Sequence, residues 1–143
     1  MSPKWFEIAK TQVGTKEALG FKNNPDVQRY YEEAGSGKLP DSVPWCAAFV
    51  GSMLYRAGQK GTGLLAARSY LLWGTELKNP IQGCLVIFKR GNSAWQGHVA
   101  FFDRTNTNGT IRVLGGNQDD QVSFANFTTR NVLGYRWPKE EKI

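Results

Sequence analysis

The sequence is poor in the residues that most often carry chemistry. It holds one histidine, His98, and two cysteines, Cys46 and Cys84. Two cysteines in 143 residues are no disulfide framework, and with a single histidine they fall short of a structural zinc set. No metal and no cofactor is therefore expected. EF-hand, P-loop and GxGxxG patterns are absent. No apolar run approaches the roughly 18 residues that a membrane helix needs, so no membrane insertion is expected. Basic residues outnumber acidic ones, 18 to 12, but no run of five Lys/Arg exists. Scattered positive charge suits an acidic polymer surface better than a nucleic-acid footprint, and no nucleic-acid partner is expected. Met1-Ser2-Pro3-Lys4-Trp5 lacks the charged-then-apolar-then-small pattern of a secretory signal, so synthesis in the cytoplasm without a signal peptide is expected.

What is present is enough apolar material, 41% of residues, for one sizeable core. No repeat or linker divides the chain, and residues 1–143 are read as a single domain. The N-terminal half reads as helices. Ser2-Pro3 precedes a first helix with Trp5, Phe6, Ile8, Ala9 and Val13, and Asn24-Pro25 starts a second that Gly35 ends. The clearest helix runs from Trp45 to Ala57, with Cys46, Phe49, Val50, Met53, Leu54 and Ala57 on one stripe and Gly58 as its stop. A shorter one covers Ala66 to Trp73. After Pro80 the pattern turns to strands: 84–88, 97–102, 111–114, 122–124 and 132–137, with Asn106-Thr107-Asn108-Gly109 as a hairpin turn. Helices first and an antiparallel sheet second define an α+β domain.

Cys46 opens the central helix in register with its apolar stripe, so its sulfur faces the sheet. A helix start offers unpaired N–H groups and partial positive charge, which favour thiolate over thiol and can hold an oxyanion. His98 begins an apolar strand. A two-residue loop at Asn108-Gly109 sets Ala100 opposite Asn117, with His98 as its diagonal neighbour. A four-residue loop over 106–109 sets His98 directly opposite Asn117. Either loop places His98 and Asn117 on one face, and a three-residue loop or a bulge at Gly115-Gly116 breaks that parity. Cysteine, imidazole and carboxamide together support nucleophilic catalysis. The thiolate attacks an acyl carbon, His98 protonates the leaving amine, and Asn117 orients the ring.

Three segments, Pro44-Trp45-Cys46-Ala47-Ala48-Phe49-Val50, Gly97-His98-Val99-Ala100-Phe101 and Leu114-Gly115-Gly116-Asn117-Gln118, resemble the papain-like peptidoglycan hydrolases of the CHAP and NlpC type. The closest likeness is to a small CHAP-related family of phage and prophage lysins. Asn23-Asn24-Pro25, Ala67-Arg68-Ser69-Tyr70 and Trp73-Gly74 also match, so the likeness runs from about Ile8 to Trp137. It implies a papain-like fold and catalysis by Cys46, His98 and Asn117. The implied function is hydrolysis of an amide in the peptidoglycan stem, as an N-acetylmuramoyl-L-alanine amidase or an endopeptidase. With no secretory signal and a single domain, the expected setting is an endolysin that reaches the wall after holin- or secretion-dependent release, and a monomer is expected. One feature departs from the pattern: many CHAP domains carry an acidic residue two positions before the Asn, where this chain has Gly115.

Trp45 and Trp95 flank Cys46 and His98 in sequence and are expected as aromatic walls of a substrate groove, with Glu17, Asn24, Asp41 and Gln118 as polar contacts for a peptide stem. Cys84 reads as a buried thiol, and Lys89-Arg90-Gly91-Asn92 as a solvated turn. Two other functions fit the same residues: a catalytically silent module that binds wall polymer, and an acyltransferase that passes the thioester to an amine.

Overall fold

The structure, a computed structural model, describes residues 2–18, 23–37, 39, 44–139 and 141–142. Three α-helices, α1 (Lys4–Thr11), α2 (Pro25–Glu33) and α3 (Cys46–Arg56), precede a 3₁₀ helix (Ala67–Leu72). Six strands follow: β1 (Thr75–Leu77), β2 (Leu85–Lys89), β3 (Gly97–Thr105), β4 (Thr110–Gln118), β5 (Gln121–Thr128) and β6 (Val132–Trp137). The strands form one antiparallel sheet in the order β1-β6-β2-β3-β4-β5. Helices packed on an antiparallel sheet are the expected α+β arrangement.

The sequence dictates α2 and α3 differently. Asn24 caps α2, its side chain accepting from the Asp26 amide at 2.7 Å, and Pro25 supplies a first-turn φ. The start of α3 has no side-chain cap and no acidic residue in its first turn. Every residue from Cys46 to Leu54 is buried, because α2 covers one side of α3 and the sheet the other. Gly51 permits the close approach to α2: a Cβ there would stand 2.9 Å from that of Ala34. Nearby, Glu33 accepts from Arg56 at 2.8 Å and from the Ser52 hydroxyl at 2.5 Å, tying the ends of the two helices together.

Strand β1 was not anticipated. It is three residues long, mostly exposed, and pairs only with β6. The hairpin forms with an odd loop: Thr105 pairs with Ile111 and the Asn106 amide donates to the Thr110 carbonyl at 2.9 Å, which leaves Thr107-Asn108-Gly109, with Gly109 at φ +79°, as the three-residue loop that breaks the expected parity. Two irregularities then decide what faces the site. The β3–β4 register shifts between Phe102 and Arg104, and the β4–β5 register shifts between Gly115 and Gln118, where Asn117 takes φ +60°. Among the described residues no helix is long and apolar enough to cross a membrane, and no His/Cys/Asp/Glu group is arranged to hold a metal.

Candidate active site

Helix α3 delivers Cys46 to the sheet at the first residues of β3. The approach is close because β4 presents glycine there: a Cβ on Gly116 would lie 2.6 Å from that of Phe49 and 2.9 Å from the Trp45 ring. The Cys46 sulfur is within hydrogen-bonding and Coulombic reach of the His98 imidazole. The side chain of Gln118 meets that ring from β4, its Oε1 2.9 Å from His98 Nε2.

One backbone carbonyl sets the protonation pattern. Gln118 Nε2 donates to the Ser123 carbonyl at 2.7 Å, and a carbonyl can only accept. The amide orientation is thereby determined, so Oε1 faces the ring and accepts from Nε2–H. Nδ1 is left to face the sulfur. Phe88 and Phe127 flank the imidazole, with ring centroids 6.0 and 5.5 Å away, and limit its rotation.

Burial pushes the Cys46 thiol up, but the hydrogen bond and charge of His98, helped by backbone bonds at Val99 and Ala47, outweigh it and bring it below its ordinary value. Burial pulls His98 down, and its bond and charge with Cys46 and its bond to Gln118 outweigh that, so the imidazole is raised, with Arg90 opposing. The two shifts point to a thiolate–imidazolium pair. At the helix start the Ala47 backbone bonds the sulfur, a smaller influence than the imidazole's bond and charge. The donors of that start precede the first bond of the helical ladder, Phe49 N–H to the Trp45 carbonyl at 2.9 Å, and no side chain caps them.

Asn117 lines the cleft at His98, but among the described residues no hydrogen bond joins it to the ring. The bulge between Gly115 and Gln118 is the reason. One extra residue in β4 reverses the alternation of faces, so Gln118 occupies the place expected for Asn117. Gly115 makes room, since a Cβ there would stand 2.5 Å from Gln118 Oε1. Gln118, expected to contact substrate, is therefore the residue that holds the imidazole.

The other expected contacts divide. Trp95 is 73% exposed and lines a cleft of about 170 Å³ that contains Cys46. Trp45 is fully buried, stacked on Tyr30 with centroids 5.9 Å apart, and its indole N–H donates to Glu17 at 3.0 Å, so it walls no groove. Glu17 serves to hold that indole. Asn24 caps α2 and also donates to the Lys16 carbonyl at 2.7 Å, which commits it to structure. Asp41 lies outside the described residues. The sequence reading missed the role of Arg68. Its guanidinium donates to three carbonyls of the β2–β3 turn: Gln96 (2.8 Å), Ala94 (2.9 Å) and Ser93 (2.7 Å). Those partners lie 25–28 residues away, and nothing local signals them.

An N-terminal helix that offers a thiol to an imidazole on an antiparallel sheet defines a papain-like α+β protein. The CHAP domain matches residues 38–117, more than half of the chain, and the chain belongs to that family. No curated protein matches it. Two solved structures share the fold. The endolysin LysIME-EF1 is 13% identical with a TM-score of 0.60, the match covering 99% of this chain and 66% of that one. The peptidoglycan hydrolase RipB of Mycobacterium tuberculosis is 14% identical with a TM-score of 0.58, covering 97% and 64%. This chain thus spans about two thirds of the length of each.

Proposed function

We propose that the protein is a cysteine-dependent peptidoglycan hydrolase that cleaves an amide of the peptide stem. The observation that carries this reading is the pairing of the buried Cys46 sulfur with the half-buried His98 imidazole at an uncapped helix start, with the ring held by Gln118. Membership in the CHAP family supports it, as do an endolysin and a peptidoglycan hydrolase of the same fold.

The Cys46 thiolate attacks the stem carbonyl, and N–H groups at the start of α3 receive the oxyanion. An amine leaves poorly unless protonated, and His98 supplies that proton from Nδ1. The ring, now neutral, takes a proton from water, whose oxygen attacks the thioester and releases Cys46. Throughout, the Gln118 carboxamide keeps Nε2–H engaged, which favours the tautomer that leaves Nδ1 able to accept. In this reading Gln118 is the orienting residue, and Asn117 faces substrate. The bond is either the muramoyl–alanine amide or a peptide bond of the stem, and the setting is an endolysin.

Mass analysis of fragments released from purified peptidoglycan tests the reading and identifies the bond. New amine termini are expected with the parent protein and none with Cys46→Ala. Equal release by both would overturn the mechanism. Fragments joined to an added amine acceptor, with none hydrolysed, would identify a transferase instead.

A further inference from the structure

Two clefts flank the dyad, and they share one charged residue. The cleft on the Cys46 side is lined by Pro44, Trp95 and Gln96, among others. The cleft on the His98 side, of about 480 Å³, is lined by Phe88, Phe127, Asn117 and Asp119. Arg90 lines both. A chain that crosses the sulfur from one cleft to the other passes its guanidinium.

We infer that Arg90 anchors a free carboxylate on the peptide substrate next to the bond being cleaved. The inference rests on the hydrolase reading above and deepens it, since it selects stems whose acidic residue is unmodified over stems in which that acid is a carboxamide.

Arg90 is exposed and, among the described residues, forms no ion pair, as is also true of Arg104 and Arg130, which line neither cleft; Arg29, Arg56, Arg112 and Arg136 are each paired and Arg68 is spent on three carbonyls. An unpaired guanidinium has its planar fork of donors free for a carboxylate. The Arg90 backbone is held in advance, since it stands at the start of the β2–β3 turn, its carbonyl accepting from the Ser93 amide at 3.3 Å, and Arg68 pins the far end of that turn. The charges around it do not cancel it. Lys89 adds a second cation to the His98 cleft, and Asp119 lines that cleft alone, away from the side that holds Cys46.

The same position gives the residue a second consequence. Arg90 acts on His98 against the protonated ring. A bound carboxylate offsets that cation and favours the imidazolium that the leaving amine needs. Substrate with a free acid thus improves the site as it fills it.

Two synthetic stem peptides test this, identical except that the second, γ-linked glutamate carries a free α-carboxylate in one and a carboxamide in the other. Each is titrated into Cys46→Ala protein, which binds without turnover, and into the same protein with Arg90→Gln added. The free acid is expected to bind roughly 10- to 100-fold more tightly to the first protein. Arg90→Gln should remove that preference and leave the carboxamide peptide's affinity unchanged, while Arg90→Lys keeps part of it. Equal or absent binding of the two peptides to Cys46→Ala overturns the inference, and so does a preference that survives Arg90→Gln. The hydrolase reading is judged separately, by fragment release. A preference without release sinks only that reading, and release without a preference sinks only this one.

Discussion

Cys46 and Cys84 are both buried thiols in one core, yet their acidities move in opposite directions. Cys84 sits just before β2 with burial as the dominant influence, and its thiol is pushed up to about 12. Cys46 experiences the same desolvation, but an imidazole faces it and backbone groups of Val99 and Ala47 bond it, so its thiol falls below the ordinary range. Burial alone makes an inert space-filler. Burial with a polar partner aimed at the sulfur makes a nucleophile.

The most severe way to break this contrast is to delete each sulfur in turn. Cys46→Ala should lower turnover on purified walls by roughly 10⁶-fold, as loss of a nucleophile does. Cys84→Ala should keep its activity and lose about 1–2 kcal/mol of stability, read by thermal denaturation. Alkylation gives the next largest effect. At pH 7 a thiol near 12 is about 10⁻⁵ ionised, so brief iodoacetamide treatment followed by peptide mapping should label Cys46 and spare Cys84. Equal labelling would abolish the distinction.

The pH profile sharpens the cause. Raising pH through the lowered thiol value creates the thiolate, and raising it further, through the raised histidine value, removes the imidazolium. Hydrolysis should therefore peak between those points. In His98→Gln the hydrogen bond and charge that lower the thiol are gone and burial remains, so the rise in Cys46 alkylation should move to higher pH. An unshifted rise would assign the lowering to the helix start instead. Gln118→Ala should have a smaller effect, cutting kcat by roughly 10- to 100-fold, less than loss of the nucleophile. Asn117→Ala should cost less than that. The reverse order would restore Asn117 as the orienting residue.

Much of this was legible in the sequence, and what was not has physical reasons. The α3 stripe and the apolar strands β2 and β3 follow from local periodicity, which needs no knowledge of partners. Strand β1 is three residues whose only partners lie at the far end of the chain, so no local pattern marks it. The parity that aligned His98 with Asn117 assumed an even loop, and the loop has three residues; the shift between Phe102 and Arg104 restores that register, and the bulge between Gly115 and Gln118 then exchanges Asn117 for Gln118. Trp45 and Asn24 carry the chemistry of a binding groove in their side chains, and only packing shows that one is sealed in the core and the other caps a helix.

Glycine at 115 and 116 lets helix and sheet close on each other, and with them the thiol and its base. A chain emerging from the ribosome therefore carries a dormant sulfur. Cys46 is synthesised well before His98, and it stays an ordinary thiol until the last half of the sheet has docked. The lowered thiol therefore arrives only once β3 has docked on α3, and a chain that stops before His98 has no base beside its sulfur.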